Sequence, residues 1–164
     1  MMVNKTTKVL IKALKQASLI GVSMAAVGIA ANAQAAEMTE ALVKNYAAAM
    51  KTAANSQNIN QVAKLVSDDA LIAMSRKGKS TSLNKDGYLK LLQSSWNQTS
   101  NYHYDITIDG IVTTGSQAKA NVNTVESWVK DGKKVSFVTN SRVTLTLATG
   151  NAVLLRAVSQ VTIN

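Results

Sequence analysis

The sequence predicts an α+β domain in which three N-terminal helices pack in the concave face of a curved, mainly antiparallel sheet. Up to residue 97, apolar residues recur at spacings of three and four, which is typical of amphipathic helices. The period then becomes two, and Tyr102, Tyr104, Ile106 and Ile108 alternate with polar residues. About 65 residues of β-meander follow, and a long antiparallel sheet of this kind twists, so we expect it to curl around the helices.

The first helix is expected over residues 39–54. Thr39 is a suitable N-cap because its hydroxyl can accept a hydrogen bond from a free backbone N–H of the first turn. One face of this helix is apolar and consists of Leu42, Val43, Tyr46, Met50 and Ala53.

Two more helices should follow, each after an asparagine N-cap. Asn58 precedes a short apolar set that marks the second helix. Asn84 precedes the third helix, on which Tyr88 and Trp96 share the apolar face.

The strands are expected between and after these helices. Residues 67–69 should turn the chain, residues 70–74 should form a short strand, and residues 76–82 should form a polar loop. In the meander, Asp131-Gly132 and Gly150-Asn151 are expected as hairpin turns, because these residue types tolerate positive φ.

The first 35 residues have the composition of a secretory signal peptide. Residues 1–16 carry four lysines and no acid, residues 17–31 are 15 uncharged and largely apolar residues, and Ala33-Gln34-Ala35 is a small-x-small pattern. The apolar run is short for a membrane-spanning helix, which needs roughly 20 residues. We therefore expect cleavage after Ala35 and a periplasmic or secreted protein without a stable membrane anchor. The alternative is an uncleaved N-terminal anchor.

The remaining 129 residues (164 − 35) are enough for a single domain over residues 36–164. All nine acidic residues and 14 (18 − 4) of the basic residues lie there, so its net charge is about +5 (14 − 9). The basic residues are scattered, apart from short clusters at 76–79 and 130–134. Nucleic-acid binding would require a basic stripe with aromatic platforms. We therefore predict no nucleic-acid partner and interpret these charges as solubilising.

The element order α-α-β-α-β-β-β-β resembles the nuclear transport factor 2-like superfamily of cone-shaped α+β folds. The resemblance also rests on the passage INQVAKLVSDDALIAM and on the hairpin SWVKDGKKV, and it covers nearly all of residues 36–164. It implies a pocket between the concave sheet face and the helices, as in polyketide-cyclase-like and ketosteroid-isomerase-like relatives. Family members usually have an aromatic residue after the last hairpin turn, where this chain has residues 151–154 (NAVL), which argues against an enzymatic branch.

Glu126 is the strongest candidate for acid–base chemistry. Alternation places it on the apolar face of its strand, where a carboxyl group has a raised pKa and can act as general acid or base. Ketosteroid isomerases of this superfamily combine a pocket carboxylate with hydroxyl donors, which Tyr102 or Tyr104 could supply here. Alternatively, Glu126 turns to solvent near the strand end and pairs with Lys130 or Lys133.

His103 is a second, weaker catalytic candidate. It is the one histidine of the chain, and alternation places it outward, two residues from Asp105. The two residues could form a His–Asp dyad, as in dehydratase members of the superfamily, or His103 is an exposed strand residue without a role. A single histidine and no cysteine exclude the usual zinc ligand sets, and no Gly-rich phosphate loop is present. We therefore expect no metal and no cofactor.

The favoured function is a module that holds a small apolar ligand in the cone pocket, or binds a protein there, without catalysis. The candidate ligand-binding residues are the aromatic ones on the apolar faces: Tyr46, Trp96, Tyr102, Tyr104, Trp128 and Phe137. The alternative is a small isomerase, dehydratase or cyclase with Glu126 as general acid/base, because one fold hosts all of these functions. Two or more polar groups around Glu126 would favour the enzyme, whereas a filled or purely apolar cone would favour binding or structure.

The outward face of the meander is rich in Asn, Thr and Ser and carries the isolated Arg142 and Arg156. Arginine is enriched at protein interfaces, and family members often pair by this face. A homodimer through the outer sheet face is one expectation, and a plain solvated face is the other.

The signal-peptide interpretation predicts that the mature protein begins at Ala36. N-terminal sequencing of the exported protein would measure this directly. A protein that stays in the membrane with Met1 or Met2 intact would contradict it.

Overall fold

The first helix begins at the threonine that the sequence indicates. In the computed structural model, which describes residues 35–164, helix α1 is Glu40–Asn55. The Thr39 hydroxyl accepts a hydrogen bond from the Leu42 N–H at 3.2 Å. This confirms the predicted cap and satisfies one of the backbone donors that a helix start leaves free.

The other two helices also begin at the predicted asparagines. Helix α2 is Ile59–Lys64, and the Asn58 side chain accepts from the Gln61 N–H at 3.1 Å. Helix α3 is Lys85–Asn97, and the Asn84 side chain accepts from the Gly87 N–H at 2.9 Å. The capping residues therefore determine where the helices start, as predicted.

Six strands of the described residues form one sheet. Their bounds are β1 Val66–Arg76, β2 Lys79–Asn84, β3 Ser100–Thr114, β4 Gln117–Lys130, β5 Lys133–Ala148 and β6 Asn151–Ile163. The order across the sheet is β2-β1-β6-β5-β4-β3. Neighbouring strands are antiparallel except β1 and β6, which are parallel. The α+β class and the four-strand meander are confirmed.

The two meander turns differ in how well they were predicted. Asp131-Gly132 forms the β4–β5 turn as expected, with φ values of 51° and 74°. The β5–β6 turn is Thr149-Gly150, with φ values of 47° and 79°, one residue earlier than predicted. Asn151 already pairs with Ala148 across the two strands, so it belongs to β6.

The prediction of a polar loop over residues 76–82 is wrong, because most of this segment is a β-hairpin. Lys77 and Gly78 form a two-residue turn with φ values of 49° and 75°, the left-handed conformation that tight hairpins require. Strand β2 lies at the edge of the sheet, and almost all of its residues are exposed. An edge strand needs no apolar alternation, so the hydropathy pattern gave no sign of it.

Strand β1 is also longer than predicted. The turn expected over residues 67–69 lies inside the strand instead. The register of β1 against β6 shifts between Val66 and Leu71, so the polar residues there sit in an irregularity of the pairing.

The hydrophobic core lies between the helices and one face of the sheet. We call this the inner face and define it by the buried residues Tyr104, Val122, Val143 and Ala157. Helix α1 is tied to β3 by Asn55, whose side chain both accepts from the Tyr104 N–H and donates to the Tyr104 carbonyl, each at 2.8 Å. These two hydrogen bonds fix the position of Tyr104 against helix α1.

The predicted signal peptide falls almost entirely on residues 1–34, which lie outside the described residues. Residues Ala35–Asn164 form one compact unit. Within that unit, none of the helices combines the length and the hydropathy that a membrane crossing demands.

Replacing Trp96 by Ala should destabilise the fold by roughly 3–5 kcal/mol, as expected for loss of a large aromatic side chain from a core. Trp96 is 5% exposed and belongs to the main core cluster. Urea unfolding would measure the change. Val158→Thr is the matched control, because Val158 is 67% exposed, and it should change stability by less than about 0.5 kcal/mol. An unchanged unfolding midpoint for Trp96→Ala would contradict the core assignment.

Candidate functional site

An open cavity of about 630 Å³ lies between helices α1 and α3 and the inner face of the sheet. All six strands contribute to its lining, and most of the lining residues are aliphatic or aromatic. Its volume is within the range of roughly 300–1,000 Å³ that is usual for small-molecule sites. The cavity predicted between the sheet and the helices is therefore open rather than filled.

Strand alternation explains which side chains reach this cavity. On β4, the lining residues are Val122, Thr124 and Glu126, which are two positions apart. Because side chains of a strand point alternately to its two faces, the register that buries Val122 also turns Glu126 inward. The face assigned to Glu126 from the sequence is the one that the structure shows.

Glu126 is held in the cavity by Tyr102. The Tyr102 hydroxyl donates a hydrogen bond to the Glu126 carboxylate at 2.9 Å. Burial raises the pKa of Glu126 above its ordinary value, and the Tyr102 hydrogen bond opposes this in part. Among the described residues, no salt bridge joins Glu126 to Lys130 or Lys133, so the surface pairing considered above does not form.

Three further tyrosines line the cavity around this carboxyl group. Burial raises the pKa of Tyr46, Tyr88 and Tyr104 well above that of a free phenol. The negative charge of Glu126 raises the pKa of Tyr88 and Tyr104 further. All of these phenols remain protonated donors at neutral pH, and among the described residues Tyr102 is the one that is hydrogen-bonded to Glu126.

Hydroxyl groups extend the polar part of the wall across β4, β5 and β6. Thr124, Thr139, Ser141 and Ser159 all line the cavity. The Ser141 and Ser159 hydroxyls are hydrogen-bonded to each other at 2.8 Å across the β5–β6 pair. These groups could donate to or accept from a polar substituent of a ligand.

The aromatic residues predicted to bind ligand divide into two groups. Tyr46, Tyr104 and Phe137 line the cavity. Trp96, Tyr102 and Trp128 are not among the lining residues and pack behind it. Trp96 meets Tyr102 edge-on, with ring centroids 6.0 Å apart, and Trp128 meets Phe137 edge-on at 4.6 Å.

Tyr102 and Trp128 contact the wall residues Glu126 and Phe137, and Trp96 contacts Tyr102. Such edge-to-face contacts are favourable beyond simple area burial. Trp96 is buried, and its indole N–H makes no hydrogen bond to any of residues 35–164. Their predicted role in direct ligand contact stays a prediction, to be tested by mutation.

The sequence matches no known protein-family model and no curated protein. Solved structures do match. A nuclear transport factor 2-like protein of unknown function from Silicibacter pomeroyi superposes with a TM-score of 0.54 at 12% identity, over 74% of this chain and 94% of its own. A ketosteroid isomerase-like protein from Erwinia carotovora atroseptica gives 0.57 at 20% identity, over 74% and 94%. A conserved protein from Planctomyces limnophilus gives 0.64 at 14% identity, over 76% and 97%.

The chain has the nuclear transport factor 2-like fold. This confirms the resemblance that the element order and the two sequence passages indicated. At these identities the likeness concerns the fold alone, so the chemistry of the cavity has to be argued from its own residues.

Sequence reasoning missed the basic rim of the cavity. Arg76, Lys77 and Lys79 line the cavity, although we interpreted this cluster as solubilising charge in a loop. The Arg76 guanidinium lies 4.9 Å from the centre of the Phe137 ring. The only local signal in the sequence was the Lys77-Gly78 pair, which could have indicated a hairpin turn. Unless that turn is recognised, the residues of β2 cannot be assigned to a face of the sheet.

His103 lies outside the cavity. It is exposed on β3 and is not hydrogen-bonded to Asp105. The Asp105 carboxylate instead accepts from Lys51 at 2.7 Å and from the Ile106 N–H at 3.1 Å, and these bonds lower its pKa. The dyad hypothesis thus has no hydrogen bond to support it. Residues 35–164 also contain no group of three or more His, Cys, Asp or Glu side chains placed to hold a metal ion.

The outer face of the sheet carries the two arginines that we considered for a homodimer. Arg142 is exposed, whereas Arg156 donates to the Asp69 carbonyl at 2.6 Å and to the Leu155 carbonyl at 2.7 Å. Val158 lies on the same face and is 67% exposed. Pairing of two copies through this face stays a prediction, and sedimentation velocity would decide it, since a purely monomeric species would exclude it.

The raised pKa of Glu126 predicts a pH-dependent effect of Glu126→Gln. Because burial raises the folded-state pKa above the ordinary 4.5, the folded protein binds more protons than the unfolded one above that pH. The stability of the parent should therefore fall as the pH rises from 4.5 through the folded-state pKa, while the Gln variant is spared this loss. Urea unfolding at pH values on both sides of 4.5 would measure the difference.

Direct titration of the side chain by NMR provides the control. Tyr102→Phe should raise the pKa of Glu126 further, because it removes a hydrogen bond that favours the charged form. A Glu126 pKa at or below its ordinary value in the parent protein would refute the buried-carboxyl description.

Proposed function

We propose that the domain binds a small, mainly apolar ligand in the cavity between α1, α3 and the inner face of the sheet. The observation that carries this proposal is the open cavity of about 630 Å³ with its mostly aliphatic and aromatic lining. A pocket of this size and composition buries most of a small organic molecule, and a few polar groups orient it. Here those groups are the Glu126 carboxyl, the tyrosines and the wall hydroxyls.

The size of the cavity favours a ligand-binding role over a purely structural one. Protein interiors are close-packed, and unfilled apolar volume sacrifices dispersion contacts. A domain selected only for stability would fill this space with larger side chains at positions such as Ala157, Ser141 and Ser159, all of which line it. Small residues at these wall positions keep the cavity open.

We also propose that the domain acts after export, as a periplasmic or secreted protein. The support is the basic, apolar and small-residue order of the first 35 residues. A protein partner at the cavity mouth is the other form that this binding function could take.

An acid–base enzyme is the second candidate, and the Glu126–Tyr102 pair favours it. A half-buried carboxyl with a raised pKa, bonded to a phenol and facing an open cavity, can take up or release a proton next to a bound substrate. Once a bound compound is identified by mass spectrometry of the purified protein, Glu126→Gln separates the two candidates. In an enzyme the variant should retain the compound but lose turnover by about a hundredfold or more. In a simple binder no turnover exists to be lost.

Filling the cavity should weaken ligand binding. Thr139 lines the cavity, whereas the next residue, Asn140, is exposed on the outer face of the same strand. We expect Thr139→Trp to weaken binding of the neutral apolar dye Nile red by about tenfold or more, measured by fluorescence titration. Asn140→Trp is the matched control and should leave the affinity unchanged. Equal binding by both variants would show that the dye, and hence the apolar ligand, does not occupy this cavity.

A further inference from the structure

The inner face of the β1–β2 hairpin changes from apolar to cationic along its length. Three cross-strand pairs face the cavity in order toward the turn: Ile72 with Leu83, Met74 with Thr81, and Arg76 with Lys79. Both strands therefore show the same gradient, with the charge at the end next to the turn. Lys77 in the turn itself adds a third cation to the cavity lining.

The other face of this hairpin carries no charge. Its pairs are Leu71 with Asn84, Ala73 with Ser82, and Ser75 with Ser80, and the Ser75 and Ser80 hydroxyls are hydrogen-bonded at 2.8 Å. Charges that serve only solubility belong on the outer, solvated face of a sheet. The hairpin has the opposite arrangement, so solubility does not explain where its cations lie.

The pairing of Arg76 with Lys79 is unfavourable by itself. Like charges directly opposite each other on neighbouring strands destabilise a sheet. Among the described residues, none of Arg76, Lys77 and Lys79 takes part in a salt bridge. The only acid among the described lining residues is Glu126, which is bonded to Tyr102. The cation cluster therefore lacks a protein counter-charge at the cavity rim.

Arg76 is the best placed of the three to contact a ligand. Its guanidinium lies 4.9 Å from the centre of the Phe137 ring, a cation–π distance that holds it against the apolar wall. The in-plane N–H groups of a guanidinium held over a ring remain free to donate. Two of them form the fork that matches the two oxygens of a carboxylate.

We propose that the ligand is an anionic amphiphile, whose carboxylate binds Arg76 and Lys79 at the cavity rim while its apolar chain enters the cavity. This inference rests on the proposed ligand-binding function and adds the chemical class of the ligand. The gradient along the hairpin matches such a molecule from end to end, with the anion at the turn and the chain against Ile72 and Leu83. Lys77 adds attraction without a fixed geometry.

Competition against Nile red would test the proposal, because this neutral dye reports on the cavity without using the cations. Decanoate and decanol have chains of equal length and differ in the head group. Below its critical micelle concentration, decanoate should displace the dye at a concentration about tenfold or more lower than decanol does. Added salt should weaken the effect of decanoate and not that of decanol, since ions screen the charge attraction.

Substitution of the cationic residues would show whether the preference for decanoate arises at Arg76 and Lys79. Arg76→Gln combined with Lys79→Gln should remove the preference for decanoate over decanol, which is measured as a ratio within each variant and so does not depend on that variant's own affinity for Nile red. Lys64→Gln combined with Lys119→Gln is the matched control, because it removes the same charge from exposed residues that do not line the cavity. Arg76→Lys combined with Lys79→Arg keeps both charges and should keep the preference. Thermal unfolding of each variant would verify that it is folded.

The outcomes separate this inference from the function on which it rests. If Nile red does not bind the parent protein, the proposed apolar-ligand function fails. If the dye binds but decanoate displaces it no better than decanol, the anionic class is wrong while the binding function stands. If the preference is lost equally in the control variant, the attraction comes from net charge, and the site at Arg76 and Lys79 is refuted.

Discussion

The parallel pairing of β1 with β6 is the contact on which the rest of the architecture depends. It joins a strand from the first half of the domain to the last strand of the meander, with Ile72 opposite Ala157 and Arg76 opposite Val161. Parallel neighbours require a long crossover, and here the connection contains β2, α3 and three meander strands. This pairing brings the β1–β2 hairpin to one side of the same inner face that carries Glu126. Without this pairing, the hairpin that carries the cations would not lie beside the strands that form the rest of the cavity wall.

The cavity combines two electrostatic environments that the fold keeps distinct. Glu126 lies among tyrosines, where burial favours the neutral carboxyl and the phenols stay protonated. The hairpin rim is exposed and cationic, so its charges remain hydrated and act on whatever approaches the opening. A carboxyl group that can hold a proton inside the cavity, together with cations that attract an anion at its rim, is compatible with either a binding protein or an enzyme. The difference between the two lies in what happens to the ligand after it is bound.

The sequence was most informative where a local rule determines the structure. Thr39, Asn58 and Asn84 were assigned as caps because a helix start needs a side-chain acceptor, and all three accept as expected. Alternation assigned Glu126 to the inner face because one buried face fixes the register of a strand. It failed for β2, whose residues KSTSLN bury almost nothing and whose only neighbour among the described strands is β1. The contact of Arg76 with Phe137 spans 61 positions (137 − 76), and no local pattern encodes it.

Two features that are unfavourable for stability line the same cavity. A carboxyl group in an apolar wall and a pair of like charges facing each other across a hairpin are both unfavourable for folding. Either one alone could be an accident of sequence drift, since a single domain tolerates a few such costs. Both line one cavity, together with small residues that leave it open. In natural proteins, residues that conflict with the requirements of a stable fold occur mainly at functional sites. The coincidence of these features is therefore the strongest physical argument that the cavity, rather than the outer sheet face, is where this domain acts.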